Sequence, residues 1–143
     1  MKKKKIISIV LVVIWMILIF VMSSFGSTQS DSQSNFIVDI LINIFNIDNV
    51  DVLSYIVRKL AHFTEYFILG ILVCNMFRYY DKKYYFAIIV CILYAVSDEA
   101  HQAFVPGRSC QVYDMLIDSF GSLSGIGLIS MFVKRKKIRT KGN

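Results

Sequence analysis

Proline occurs once in these 143 residues, at Pro106. That scarcity excludes proline-rich, collagenous and linker-like chains. Charge is also scarce. Only 18% of residues are charged against 56% hydrophobic, which excludes intrinsic disorder and a soluble domain of this size. The three cysteines, Cys74, Cys91 and Cys110, are odd in number and have no CxxC spacing. A disulfide framework and a thiolate zinc site are thereby excluded. Cys74 and Cys91 fall in apolar runs, where cysteine acts as a small hydrophobe; Cys110 is expected as a lone thiol in a loop. The chain also lacks an HExxH pair, a glycine-rich phosphate loop and a nucleophile elbow.

What remains is apolar and long. Four runs, residues 6–22, 55–77, 82–105 and 112–133, each approach the ~20 residues that a helix needs to cross hydrocarbon. No alternating pattern suggests strands, and four segments cannot close a barrel. The first run follows Lys2 to Lys5, as in a signal peptide, but Ser23-Ser24-Phe25-Gly26 is a poor small-residue cleavage site, so a retained anchor is expected. Residues 36–47 form a shorter amphipathic pattern. Asp39, Asn43 and Asn46 make one stripe, with Phe36, Ile37, Ile40, Leu41, Ile44 and Phe45 opposite. This is expected to be an interfacial helix. The predicted architecture is one all-α domain: a four-helix transmembrane bundle with that short helix between spans one and two.

Of sixteen basic residues, four precede the first run, three (Arg78, Lys82, Lys83) lie where run two gives way to run three, and six follow run four. With four crossings these regions share one side, leaving only Arg58, Lys59 and Arg108 opposite. The positive-inside rule then puts both termini in the cytoplasm of a multi-pass cell-membrane protein. Charge so distributed reads as topology, and a nucleic-acid partner is excluded.

Three segments break the apolar runs: Arg58-Lys59-Leu60-Ala61-His62-Phe63-Thr64-Glu65-Tyr66, Asp98-Glu99-Ala100-His101-Gln102 and Asp114-Met115-Leu116-Ile117-Asp118. Each ionisable group placed in lipid costs about 2.5–3.5 kcal/mol on insertion scales, so these groups should face one another, water or a ligand. Helix rise puts Glu65, Asp98 and Asp118 roughly 18, 21 and 22 Å from the inner boundary. That is a common layer about 10 Å below the outer surface of a ~30 Å core. Arg58, His62 and Glu65 share a helical stripe, as do Asp98, His101 and Gln102, and Asp114 and Asp118. Gly121-Ser122-Leu123-Ser124-Gly125 is a GxxxG seam, expected to bring span four against span two.

These residues predict an outward polar pocket with Arg58, His62, Glu65, Asp98, His101, Gln102, Arg108, Asp114 and Asp118 as ligand-binding candidates. Arg108 follows the Pro106-Gly107 turn, where a guanidinium suits phosphate or carboxylate. If chemistry occurs, Glu65, Asp98, His101, Asp118 and His62 are the candidate acid–base groups. The histidines and carboxylates make an oxygen/nitrogen donor set, but one histidine per segment gives no metal spacing, so neither metal nor cofactor is assigned. Glu99 falls on another face from Asp98 and is expected toward solvent; Lys59 is expected to snorkel to the interface.

In order and spacing, these motifs resemble the VanZ-like family: Arg58-Lys-x-Ala-His-Phe-x-Glu-Tyr-x-x-x-Gly70, Asp98-Glu-x-His-Gln-x-Phe-Val-Pro-Gly-Arg108 and Asp114-x-x-x-Asp118-x-x-Gly121. The stretch from Trp15 to Ser24 is similar too. The resemblance implies a small multi-pass membrane protein of the cell envelope, associated in some members with low-level tolerance of teicoplanin-type glycopeptides. It carries no catalytic roles. A lipid-linked cell-wall precursor, an anionic headgroup or a lipoglycopeptide is the expected ligand, with the lipid bilayer itself as partner. Two other readings stay open: a membrane-embedded hydrolase or transferase acting on a lipid-linked substrate, and a structural polar network with no ligand. A carrier would need a polar inner path, which runs two to four do not offer.

Overall fold

The computed structural model describes residues 2–26, 37–44, 49–80 and 83–139, with side chains as far as Lys134. Within them the chain is helical: α1 (Lys2–Ser23), α2 (37–44), α3 (Val50–Tyr79), α4 (Tyr84–Gln102) and α5 (Val112–Arg139). α1 and α3 overrun their predicted runs at both ends, and α5 overruns its run at the C-terminal end, where polar residues continue the helix. α3 starts five residues early because the Asn49 side chain accepts a bond from the Val52 N–H, at 3.2 Å, capping its first turn. α4 stops three residues short of the predicted end, since the residue before a proline leaves the helical region. Val105, Pro106, Gly107 and Arg108 instead make a tight turn, closed by the Arg108 N–H bonding to the Val105 carbonyl at 3.1 Å. Gly107 sits at φ 76°, the left-handed conformation that this position of a type II turn demands.

The predicted interfacial helix is seen over 37–44, while Phe36, Phe45, Asn46 and Ile47 lie outside the described residues. Ile37, Ile40 and Ile44 are exposed, and Val38 turns inward and is fully buried.

α3 and α5 form the closest pair. A Cβ on Gly121 would sit 2.5 Å from the Phe63 carbonyl oxygen. One built on Gly70 or Gly125 would collide with the backbone of Ser122 or Phe67 respectively. The seam expected from the glycine spacing is therefore present, and it draws on α3's own glycine as well. α1 is tied to its neighbours by two donors that reach main-chain carbonyls. Trp15 Nε1 donates to Glu65 O at 2.9 Å, and the Tyr94 hydroxyl donates to Met16 O at 2.6 Å. Between these contacts lies an apolar core that includes Ile19, Leu69, Val73, Ala87, Cys91 and Ile126.

The two ends of the bundle differ in charge. At one end Lys5 lies 4.9 Å from the Tyr80 ring, and Phe77 of α3 meets Phe86 of α4. The start of α1, the end of α3 and the start of α4 thus share this basic end, where the late turns of α5 lie beside Tyr84. Among the described residues, Glu65, Asp98, Glu99, Asp114 and Asp118 gather toward the other. The outward faces stay apolar along the helices, with Ile6, Ile14, Ile17, Leu60, Leu93 and Phe120 all exposed. So much exposed apolar surface is what a lipid environment requires. Among the described residues, three helices, α1, α3 and α5, are long and apolar enough to cross a membrane. α4 is not one of them. It has 19 residues, and Asp98, Glu99, His101 and Gln102 occupy its last turn.

Candidate functional site

The site is built where the end of α1, the first half of α3, the last turn of α4 and the first turns of α5 come together. The helical repeat delivers the side chains: residues three or four apart on α3 and α5 stack on one face, and the glycine seam brings those faces close. His62 of α3 therefore meets Asp118 of α5, with Nδ1 3.4 Å from Oδ1. Asp118 is fully buried, and His62 is 8% exposed.

Asp98 and Gln102, one turn apart on α4, approach each other at 3.5 Å, and Arg108 donates to Gln102 Oε1 at 3.0 Å. The turn at Gly107 is what folds Arg108 back onto the cluster. Burial lowers the affinity of its guanidinium for the proton, and the Arg58 guanidinium nearby acts in the same direction. The carboxylates of Asp98, Glu99 and Asp114 act in the opposite direction. Glu65 lies within electrostatic reach of His62, Asp118, Asp98 and Arg108. The Ser23 and Tyr66 hydroxyls face the Asp98 carboxylate without reaching hydrogen-bond alignment.

Two cavities open here. The first, about 140 Å³, is walled by Arg58, His62, Glu65, Asp98 and Arg108 together with Ser23 and apolar residues. The second, about 110 Å³, lies beside it and is lined by Lys59, Gln102, Ser109 and Asp114, again with Arg58, His62 and Arg108. Those last three side chains form the partition between the two.

Of the expected site residues, Arg58, His62, Glu65, Asp98, Gln102, Arg108, Asp114 and Asp118 are brought together. His101 is not. It turns toward α1, where its ring stacks on Phe20 at 4.5 Å and its Nε2 lies 3.1 Å from Ser24 Oγ.

Two expectations are corrected. Glu99 does not face solvent: it is fully buried, and its Oε2 accepts the Gln111 N–H at 2.9 Å. Gln111 immediately precedes α5, so the carboxylate sits at a helix N-terminus, where the helix dipole favours negative charge. Lys59 does not reach for the interface either. It pairs with Asp114, and only 13% of its side chain is exposed. A signal for Glu99 existed in the sequence. Two consecutive acids in one apolar helix cannot both face lipid cheaply, so the end of α4 must have protein on two sides. Ser23 and Tyr66 carried no comparable signal.

Several buried polar atoms in the cluster lack a hydrogen-bond partner: both Asp118 oxygens, Asp98 Oδ1, Glu99 Oε1 and His62 Nδ1. One oxygen or nitrogen each from His62, Glu99 and Asp118 lies within 4.8 Å of the others. This donor set differs from the one the sequence offered, because Glu99 takes the place expected of Glu65 and Asp98.

The fold and site define an all-helical membrane protein with a buried ionisable cluster at one end. The chain matches the VanZ/LLP1 family over residues 8–133, and it belongs to that family. No curated protein and no solved structure matches it.

Proposed function

We propose that this chain is a four-crossing envelope protein with cytoplasmic termini, whose cluster opens at the outer leaflet and holds an anionic headgroup. α4 supplies the fourth crossing. Its polar last turn is sheltered by α1, α3 and α5, and its remaining length is apolar. The basic end then lies in the cytoplasm, as the positive-inside rule asks.

The observation that carries the binding reading is the partition shared by the two cavities. Arg58 and Arg108 present guanidiniums to both, and guanidinium is the side chain best shaped for phosphate or carboxylate. The ligand class is a phosphate-bearing lipid headgroup, either an anionic phospholipid or a lipid-linked cell-wall precursor. Glu65 and Asp98 would accept hydrogen bonds from its hydroxyl or amide groups. A network that only pins helices would satisfy its own members, and this cluster leaves several buried atoms unpaired.

Binding is tested with protein in nanodiscs of phosphatidylcholine, to which either phosphatidylglycerol or a polyprenyl pyrophosphate is added. Retention of one of them by the wild type and its loss in Arg108→Ala supports the reading and identifies the source. Retention of neither refutes it. In cells, glycopeptide tolerance is the phenotype to measure. Glu65→Gln and Asp118→Asn should abolish it at unchanged membrane abundance; undiminished tolerance counts against a functional pocket.

A further inference from the structure

His62, Glu99 and Asp118 come from three different helices, α3, α4 and α5, and each is at least nine-tenths buried. Each still offers a ligand atom with no hydrogen-bond partner: His62 Nδ1, Glu99 Oε1 and the Asp118 oxygens. We propose that these three side chains hold a divalent transition-metal ion.

Geometry is the first support. Two ligands about 2.1 Å from a tetrahedral metal stand about 3.4 Å apart. His62 Nδ1 and Asp118 Oδ1 stand 3.4 Å apart. They nevertheless lack the alignment of a hydrogen bond, as expected if both point at a third body rather than at each other. One possible ligand atom from each of the three residues lies within 4.8 Å of the others, so small side-chain movements complete the set. Glu99 is half anchored already, since its other oxygen takes the Gln111 N–H at 2.9 Å. Ligating carboxylates are commonly fixed by such a bond.

Charge is the second support. The carboxylates of Glu99 and Asp118 lie within electrostatic reach of each other, of Asp114 and of His62, and a divalent cation there would offset buried negative charge that is otherwise strongly disfavoured. The imidazole-plus-carboxylate chemistry suits zinc, manganese, iron or cobalt better than calcium or magnesium.

His62 lines both cavities, while Glu99 and Asp118 line neither, so the metal site does not depend on an anion bound between Arg58 and Arg108.

The test uses the full chain, purified with chelator and placed in phosphatidylcholine nanodiscs, with Zn²⁺, Mn²⁺ and Co²⁺ titrated singly. One equivalent should bind and raise the thermal midpoint. His62→Ala and Asp118→Asn should weaken binding at least about tenfold and remove the thermal shift. Glu99→Gln keeps an acceptor for the Gln111 N–H, so it remains folded if the other variants do not, and it should also lose affinity. His101→Ala, whose ring lies against Phe20, should bind as wild type does. The proposal is overturned if none of the three ions binds. It is equally overturned if binding is undiminished in Glu99→Gln, or if it depends on His101. Because the discs contain no anionic lipid, failure here leaves the headgroup experiment undisturbed.

Discussion

Substituting Gly121→Ala tests the feature that assembles the whole site. A methyl at this position would stand 2.5 Å from the Phe63 carbonyl oxygen, whereas ordinary contact begins near 3.4 Å. The obstacle is helix backbone, which cannot swing aside, so α3 and α5 must part by about 0.9 Å, the difference between those two distances. Overpacking of this kind destabilises by about 1–3 kcal/mol. Replacing glycine inside a helix by alanine returns up to about 1 kcal/mol, so Gly121→Ala is expected to lose up to about 2 kcal/mol net and to fall about 1–3 kcal/mol below a glycine-to-alanine change without the clash. Gly127→Ala provides the matched control: nothing lies within 4 Å of its added methyl, so only the propensity gain should appear. Unfolding of both variants in the same detergent gives the comparison. A second effect should accompany the first. Gly121 is one turn from Asp118, and Phe63 adjoins His62, so parting the helices lengthens the 3.4 Å His62–Asp118 approach. If Gly121→Ala matches Gly127→Ala in stability, the seam does not set the helix spacing, and the account of how the cluster is gathered fails.

Two further outcomes follow from the charges and the thiols. Lys59→Met leaves Asp114, itself 5% exposed, without its ion-pair partner and should destabilise by about 3–5 kcal/mol. Adding Asp114→Leu should recover most of that loss, and a double variant no more stable than the single one would show that the pair is not the reason. Cys110 is exposed in the α4–α5 connection while Cys74 and Cys91 are buried. A membrane-impermeant thiol reagent applied to intact cells should therefore label one site only, Cys110. Labelling that requires opened cells would reverse the proposed orientation.

The seam, the turn at Pro106-Gly107 and the meeting of polar stripes from separate helices could all be read from residue spacing. Each depends on local geometry: a glycine every four residues, a proline's fixed backbone, side chains three or four apart on one helix face. The errors share a different cause. Spacing tells which residues of a helix share a face, not how many neighbours the helix has. α4 ends among three others, so Asp98, Glu99 and His101 each point at protein, in different directions. Only the assembled bundle shows that Glu99 joins the cluster and that His101 leaves it. Lys59 was misread for a related reason. A lysine near a helix end commonly reaches for water, but here a carboxylate from α5 stands closer. The expected fourth crossing is not among the three helices apolar enough to span a membrane, because the polar turn at the end of α4 lowers its apolar character.

The twin chambers bordered by Arg58, His62 and Arg108 hold about 140 and 110 Å³. Drug-sized ligands occupy roughly 300–1,000 Å³, and a glycopeptide antibiotic is larger again. Neither hollow can swallow such a molecule. Under the proposed headgroup binding, chambers of this size match a phosphate and its nearest atoms, and an antibiotic would stay outside them.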